Sequence, residues 1–178
     1  MKKHKLAFID IETTGTNPDK HEIIEIGCII ATQEGREIKK VEEFDIKIKP
    51  TRIADADQAA LRINKYNDAD WLFAVSIKQA LTTLAEKTEG AIVAGQNIAF
   101  DLCFLEPEYR RQGIKWGIQY YPIDTKSIAF QRFCDNDEIK NYSLRELCAY
   151  YGIQNENAHS ALSDIRATFE VYKKLLTK

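Results

Sequence analysis

The sequence lacks the paired cysteines of a disulfide framework or a zinc site. Its four cysteines are widely spaced, and no two of them form a CxxC pair. They are Cys28, Cys103, Cys134 and Cys148. This spacing indicates reduced, mostly buried thiols, and it predicts a cytoplasmic protein.

Long apolar runs are also missing. The basic residues 1–5 resemble the start of a signal peptide, but Asp10 interrupts the apolar segment that follows after only four residues. That segment is too short for the hydrophobic region of a signal peptide. No other stretch is long enough to cross a bilayer, so the sequence predicts no membrane partner.

An excess of positive charge is absent as well. The 178 residues include 25 lysines and arginines and 27 aspartates and glutamates, which gives a formal net charge of −2. A protein that holds nucleic acid by phosphate neutralisation alone is usually more basic, so any such contact must be local or assisted by bound metal. The composition, with 44% hydrophobic residues and no linker or repeat, predicts one globular domain over residues 1–178.

The spacing of the apolar residues predicts three strands followed by alternating strands and helices. Strands are expected at residues 6–9, 21–32, 41–49, 91–94 and 119–123. Helices are expected at residues 54–64, 76–89, 101–112, 124–133, 143–152 and 160–176. Pro107 should kink the third helix or begin a second segment. Because short turns join the first three strands, we expect a mixed α/β sheet with an antiparallel meander, then parallel strands, and helices on both faces.

Two acidic side chains, Asp10 and Glu12, stand at the end of the first strand. Side chains alternate along a strand, so both carboxylates project from the same face. No lysine or arginine lies between Leu6 and Pro18, and two unpaired carboxylates in proximity repel each other. A hard divalent cation such as Mg²⁺ is the simplest partner for them. A solvated strand end with two surface acids is the alternative that this stretch leaves open.

Three later residues extend the acidic pattern. Asp101 follows a strand and a loop, and its alternative role is that of a helix N-cap. Asp164 lies early in the last helix, where the helix dipole favours an acid even without a catalytic role. His159 precedes Asp164 by five residues, which is roughly 140° on one helix, so the two can cooperate only if His159 lies in the loop before it. Oxygen ligands suit a pair of Mg²⁺ or Mn²⁺ ions around a scissile phosphate. Histidine can accept the proton of the attacking water.

The motifs resemble those of the DEDD 3′–5′ exonucleases, in the subclass with a histidine five residues before the last aspartate. The matching segments are residues 10–15 with 21–27, residues 95–105, and residues 159–164 preceded by 142–144 and 151–153. They cover nearly the whole chain in the expected order. Within the family, the chain is most similar to the proofreading subunit of bacterial DNA polymerase III and its free-standing relatives.

This resemblance implies a ribonuclease-H-like fold and the release of 5′-mononucleotides from the 3′ end of DNA, at single-stranded or frayed ends. The implied site comprises a general base, His159, and ligands for two Mg²⁺ or Mn²⁺ ions, Asp10, Glu12, Asp101 and Asp164. The implied contacts of the terminal nucleotide are Thr13, Asn97 and Phe100. Phe100 is equally compatible with the core. Trimming of RNA 3′ ends or oligoribonucleotides, and a binding module that no longer cuts, are the alternatives.

The expected partner is a nucleic acid 3′ end, with DNA favoured and RNA possible. Gln96 stands where many relatives have histidine, which leaves one substrate contact open. The chain ends with its last helix, without the tail by which the polymerase subunit binds the polymerase, and it has no Gln-x-x-aromatic motif for a sliding clamp. A polymerase or clamp partner is therefore not expected.

Some basic and aromatic residues could contact the substrate strand. The basic residues are Lys39 with Lys40, Lys47 and Lys49 with Arg52, and the cluster of Arg110, Arg111 and Lys115; the aromatic residues are Trp71, Tyr120 and Tyr121. For the basic cluster a solvated helix face is the preferred interpretation. For the paired aromatic residues Tyr120 and Tyr121 a place in the core is preferred over base stacking.

Overall fold

The computed structural model describes residues 2–177, which form a five-stranded sheet with helices packed against it. The strands are β1 (Lys3–Thr13), β2 (Ile23–Glu34), β3 (Glu37–Lys47), β4 (Ile92–Gly95) and β5 (Gln119–Asp124). The helices are α1 (Gln58–Ile63), α2 (Ile77–Thr88), α3 (Ala99–Gln112), α4 (Thr125–Phe133), α5 (Leu144–Tyr151) and α6 (Ala161–Leu176). In the part of the chain from residue 2 to 177, no helix is long and apolar enough to cross a membrane.

The order of strands in the sheet is β3-β2-β1-β4-β5. The first three strands pair antiparallel, because a tight turn at residues 35–36 and the loop at residues 14–22 leave no room for a parallel crossover. Strands β1, β4 and β5 run parallel, and helices lie in the connections between them. The predicted mixed sheet is confirmed. Its central strand is β1, so the end of β1 lies between the loops of its neighbours.

The two faces of β1 pack against different helices. Ala7 and Ile9 belong to a core with residues of α2 and α3, whereas Leu6 and Phe8 pack against residues of α6. A third cluster joins α4 and α5 to α6. The expectation of helices on both faces is therefore confirmed. Because side chains alternate along the strand, the positions after Phe8 on the same face, residues 10 and 12, point toward α6.

Helix α3 differs from its prediction in two ways. It runs through Pro107 as one helix rather than two segments. Its buried residues on both sides of the proline, such as Phe104 and Tyr109, pack on the sheet and offset the backbone hydrogen bond that proline removes. The N-cap is Ile98, so Asp101 lies inside the first turn. The interpretation of Asp101 as the N-cap is wrong.

Other boundaries shift for local reasons. The predicted helix at residues 54–64 divides into a 3-10 turn (Ile53–Asp55) and α1, because Ala56 is extended and the Asp57 carboxylate accepts a hydrogen bond from the backbone N–H of Ala59. Strand β3 begins four residues earlier than predicted, at Glu37, since it continues the hairpin with β2. The cysteines are unpaired as predicted, although only two are buried. Cys28 and Cys148 are buried, and Cys103 and Cys134 are exposed.

The contact between β1 and α6 should contribute strongly to stability. The fully buried ring of Phe8 lies 5.1 Å from the ring centroids of both Phe169 and Tyr172. Phe8→Ala should lower the free energy of unfolding by about 3–5 kcal/mol, because it leaves a cavity among these rings. Denaturation by urea measures this change. Tyr120→Ala, at a fully exposed ring, is the control and should change it by less than about 0.5 kcal/mol; equal effects of the two variants would contradict the prediction.

Candidate active site

The acidic residues predicted from the sequence meet at the end of β1. Asp10 and Glu12 project from β1 toward α6, and Asp164 lies in the first turn of that helix. The charges of Asp101, Glu12 and Asp164 all act on the Asp10 carboxyl. Elements far apart in the chain, β1, α3 and α6, therefore bring the four acids to one place.

His159 lies in the loop before α6, as its spacing from Asp164 requires. A ring nitrogen of His159, a carboxylate oxygen of Glu12 and one of Asp164 all lie within 4.8 Å of one another. The His159 side chain is exposed to solvent, and its backbone has a φ of 68°. A left-handed conformation is uncommon for histidine, and such strain is found most often at functional sites. The backbone turns here so that the imidazole faces the acids.

Asp101 enters the cluster from the opposite face of the sheet. Its Oδ1 accepts a hydrogen bond of 2.9 Å from the backbone N–H of Ile11, and the residue is 3% exposed. This bond joins the first turn of α3 to β1, between Asp10 and Glu12. It fixes the Asp101 carboxylate relative to both of them.

Asp164 is held by groups of the preceding loop. Its Oδ1 accepts a hydrogen bond of 2.5 Å from the Asn155 side-chain amide, and its Oδ2 accepts one of 3.1 Å from the backbone N–H of His159. Ser163 in turn donates to Asn155 Oδ1 at 2.7 Å. The sequence analysis did not identify Asn155. Nothing local in the sequence signals it, because the two residues meet only when the loop folds back on α6.

The cluster carries unbalanced negative charge. Burial raises the pKa of Glu12 to about 8, and the carboxylates of Asp164, Glu25 and Asp101 add to the shift. Burial likewise raises the pKa of Asp101 to about 8. The pKa of Asp10 also lies well above its usual range, again through burial and then through its acidic neighbours.

These acids fit a divalent metal centre. None of the four forms an ion pair with a cationic side chain among residues 2–177. Carboxylates that repel one another in this way are stabilised by a hard cation with oxygen ligands. The donor set consists of four carboxylates with one imidazole beside them. Such oxygen ligands suit Mg²⁺ or Mn²⁺, whereas structural zinc sites are rich in nitrogen and sulfur ligands.

The residues predicted to contact the nucleotide differ in burial and in their local contacts. Asn97 is exposed with a φ of 59°, and its backbone N–H donates to Asp124. Phe100 is partly buried with its ring 5.3 Å from that of Phe104, which is compatible with both interpretations. The hydroxyl of Thr13 donates to the carbonyl of Gly15 and is buried, so it serves the loop. The contact of Thr13 with a nucleotide stays a prediction.

Gln96 connects β4 to the segment before α5. Its side-chain Nε2 donates a hydrogen bond of 2.7 Å to the backbone carbonyl of Tyr142, whose φ is 52°. Its Oε1 is buried and finds no partner among the described residues. The amide therefore has one structural bond and one buried acceptor without a partner among the described residues.

The basic and aromatic residues do not form one surface. Trp71 is buried, which disfavours its stacking on a base. Tyr120 and Tyr121 are exposed, so their assignment to the core is wrong. The predicted cluster of basic residues also divides. Arg110, Arg111 and Lys115 line three separate depressions. The cluster therefore offers no continuous basic track.

The sequence analysis also missed Glu25. It stands in the apolar run of β2, is 3% exposed and acts electrostatically on both Asp10 and Glu12. A charged residue inside an apolar strand is rarely buried without a partner. That is the signal by which the sequence alone identifies it.

Comparison with known proteins agrees with this geometry. The sequence profile of the exonuclease family RNase_T matches residues 7–172. The chain belongs to the exonuclease family. The resemblance to the 3′–5′ exonucleases is thereby confirmed.

Several relatives of this exonuclease-family chain are much longer proteins. It is 26% identical to the PolC-type DNA polymerase III of Caldanaerobacter subterraneus subsp. tengcongensis over 98% of the chain and 12% of the polymerase. It is 29% identical to the 3′-5′ exonuclease DinG of Staphylococcus saprophyticus over 96% of the chain and 18% of that protein. The chain thus spans a minor part of the curated relatives that it matches.

A solved structure shares the fold. The zinc-bound complex of E. coli exonuclease I with single-stranded DNA superposes with a TM-score of 0.78 at 20% identity, over 96% of this chain and 40% of that one. The ribonuclease-H-like fold implied by the motifs is confirmed.

The raised pKa values predict how stability depends on pH without metal. Between the ordinary carboxyl pKa of Glu12, 4.5, and its folded value of about 8, the folded protein binds more protons than the unfolded chain. Stability therefore falls as pH rises through this window. Thermal unfolding in chelator at pH 5–8 should show a falling Tm, and Glu12→Gln should reduce the fall and raise Tm at pH 8.

The control for this experiment is Glu43→Gln. Hydrogen bonds from Arg166 and Lys40 lower the pKa of Glu43 to about 2, outside the window. This variant should keep the slope of the parent. A Tm that stays level or rises from pH 5 to pH 8 in the parent would show that the acids are not crowded as described.

Proposed function

We propose that this chain is a metal-dependent 3′–5′ exonuclease domain, extending over residues 1–178, that releases 5′-mononucleotides from single-stranded or frayed DNA ends. The observation that carries the proposal is the convergence of Asp10, Glu12, Asp101 and Asp164 with His159 in a chain of the exonuclease family. The name of DinG as a 3′-5′ exonuclease and the DNA-bound exonuclease I support the same activity.

The four carboxylates would hold two Mg²⁺ or Mn²⁺ ions. When bound, such a pair supplies Lewis acids that polarise the phosphate and make the attacking water more acidic. The zinc-bound exonuclease I supports a divalent metal in this fold. Hydrogen bonds within the protein orient the carboxylates. The bond from Ile11 orients Asp101, and those from Asn155 and His159 orient Asp164.

His159 is the proposed general base. Its ring nitrogen lies within 4.8 Å of carboxylate oxygens of Glu12 and Asp164, which supports a role beside the proposed metal-bound phosphate. Its exposure to solvent allows it to pass the accepted proton to bulk water.

The substrate strand is proposed to bind through few nucleotides. The proposed contacts of the terminal nucleotide are Thr13, Asn97 and Phe100, and the exposure of Asn97 supports its part in them. Arg110, Arg111 and Lys115 line separate depressions, and the one that Arg111 shares with Lys49 and Arg52 also contains Glu22 and Glu108, the acidic partners of Arg52 and Arg111. Phosphates further along the strand would therefore find little neutralisation. The unpaired cysteines support a proposed cytoplasmic location, where thiols stay reduced.

Digestion of end-labelled oligonucleotides tests the activity. Single-stranded DNA and RNA of one sequence, labelled at the 5′ end, should shorten stepwise from the 3′ end with Mg²⁺ and stay intact with chelator. The faster substrate separates the DNA proposal from trimming of RNA.

Asp164→Asn should remove the activity while circular dichroism stays unchanged. Digestion at the parent rate by this variant would place the site elsewhere, and binding of both oligomers without cleavage by the parent would favour a non-catalytic module.

The role of His159 has its own test. His159→Ala should lower the rate about 10²- to 10⁴-fold, as expected for loss of a general base, and should leave the Mn²⁺ binding isotherm in place. His4→Ala, near the other end of β1, is the matched control and should change neither quantity. If His159→Ala no longer binds Mn²⁺, the imidazole is a metal ligand instead, which its distance from the carboxylates also allows.

A further inference from the structure

Glu25 is a buried acid on the same face of the sheet as the acidic cluster. It pairs directly with Glu12 across β1 and β2. Residues directly opposite on antiparallel strands share a face, and two like charges in that position destabilise the pair. The arrangement therefore needs a compensating interaction on the other side of Glu25.

Lys47 supplies this interaction from β3. It pairs with Glu25 in the register of β2 and β3, and its Nζ lies 3.7 Å from Glu25 Oε2. The same Nζ lies 3.6 Å from the centroid of the Trp71 ring, and Trp71 Nε1 donates to the carbonyl of Ile24 at 3.0 Å. Trp71 thus fixes Lys47 beside Glu25, and neither side chain is free to contact a substrate.

The other oxygen of Glu25 faces the beginning of α6. Ser160 Oγ donates to Glu25 Oε1 at 3.2 Å. Ser160 is the N-cap residue, yet its own side chain makes no capping bond. The acid from β2 instead places a negative charge at the positive end of the helix, which stabilises its first turn.

Gly27 allows this close approach. A Cβ at Gly27 would lie 2.3 Å from the backbone carbonyl carbon and oxygen of Ala161. Gly27 is also the residue directly opposite Asp10. The first turn of α6 therefore rests on the backbone of β2, at the level of the acids of β1.

We propose that Glu25 is a positioning residue that anchors the first turn of α6 and thereby sets the distance from Asp164 to Glu12. The backbone N–H of Asp164 donates to the carbonyl of Ser160, so a shift of the anchored residues carries Asp164 with it. The inference rests on the proposed function in that Asp164 and Glu12 are taken as metal ligands. Glu25 is not a fifth ligand, because Lys47 and Ser160 engage its two oxygens.

Two substitutions of Glu25 separate anchoring from charge. Glu25→Gln keeps an oxygen that accepts the bond from Ser160, so its Mn²⁺ affinity, measured by calorimetry, should stay within about threefold of the parent. Glu25→Ala removes the anchor and should weaken Mn²⁺ binding about 10- to 100-fold, the usual effect of losing an outer-shell partner. Gly27→Ala should weaken it similarly, because α6 must move away.

The control is Glu43→Ala. Glu43 of β3 forms an ion pair with Arg166, at 2.5 Å, which is a second contact between an acid of the sheet and α6. Its loss should leave the Mn²⁺ affinity and kcat unchanged. All titrations are made at a temperature at which thermal unfolding shows each variant to be folded.

The outcomes distinguish the inference from the proposed function. A Glu25→Ala variant with parental Mn²⁺ affinity and kcat, even if its Tm falls, would reduce Glu25 to a stabilising residue and overturn the inference. Equal losses in Glu25→Gln and Glu25→Ala would overturn it too, since they would show direct action of the charge. Failure of the parent itself to bind Mn²⁺ or to digest DNA would instead contradict the proposed function.

Discussion

Mutual repulsion among the acids at the end of β1 is the constraint on which the other features of the site depend. Asp10 and Glu12 lie on one face of a central strand, and Asp101 and Asp164 reach them from helices on opposite faces of the sheet. Burial and repulsion disfavour the charged carboxylates and thereby raise their pKa values. A fold that keeps these groups together must therefore hold each of them by contacts that the repulsion does not break.

Those contacts come mostly from the backbone and from buried rings. Asp101 is held by the N–H of Ile11, and Asp164 by that of His159. The rings of Phe8 on β1 and Phe169 on α6 pack edge to face and hold the helix against the strand. An apolar interface and backbone donors carry no competing charge. They place the carboxylates without neutralising them, which leaves their negative charge available for cations.

The sequence was sufficient for the parts of the site that depend on local geometry. Strand alternation predicted that Asp10 and Glu12 share a face, and the five-residue spacing predicted that His159 precedes α6. It was insufficient where a side chain acts on a distant part of the chain. For Asp101 a helix cap stayed open as the alternative, because a local pattern does not reveal its bond to Ile11, 90 residues away in sequence. For the same reason Asn155 was not identified, and the partners of Glu25 are likewise distant in sequence.

The ion pairs of this chain limit how it can attract nucleic acid. Arg52 pairs with Glu22, Arg111 with Glu108, and Lys47 with Glu25. Such cations add little to the attraction of a phosphate backbone. With two divalent ions on the four carboxylates, the proposed site would change from strongly negative to about neutral. Binding of the strand and loading of the metal would then be coupled, because the ions that neutralise the acids are also the positive charges nearest to the scissile phosphate.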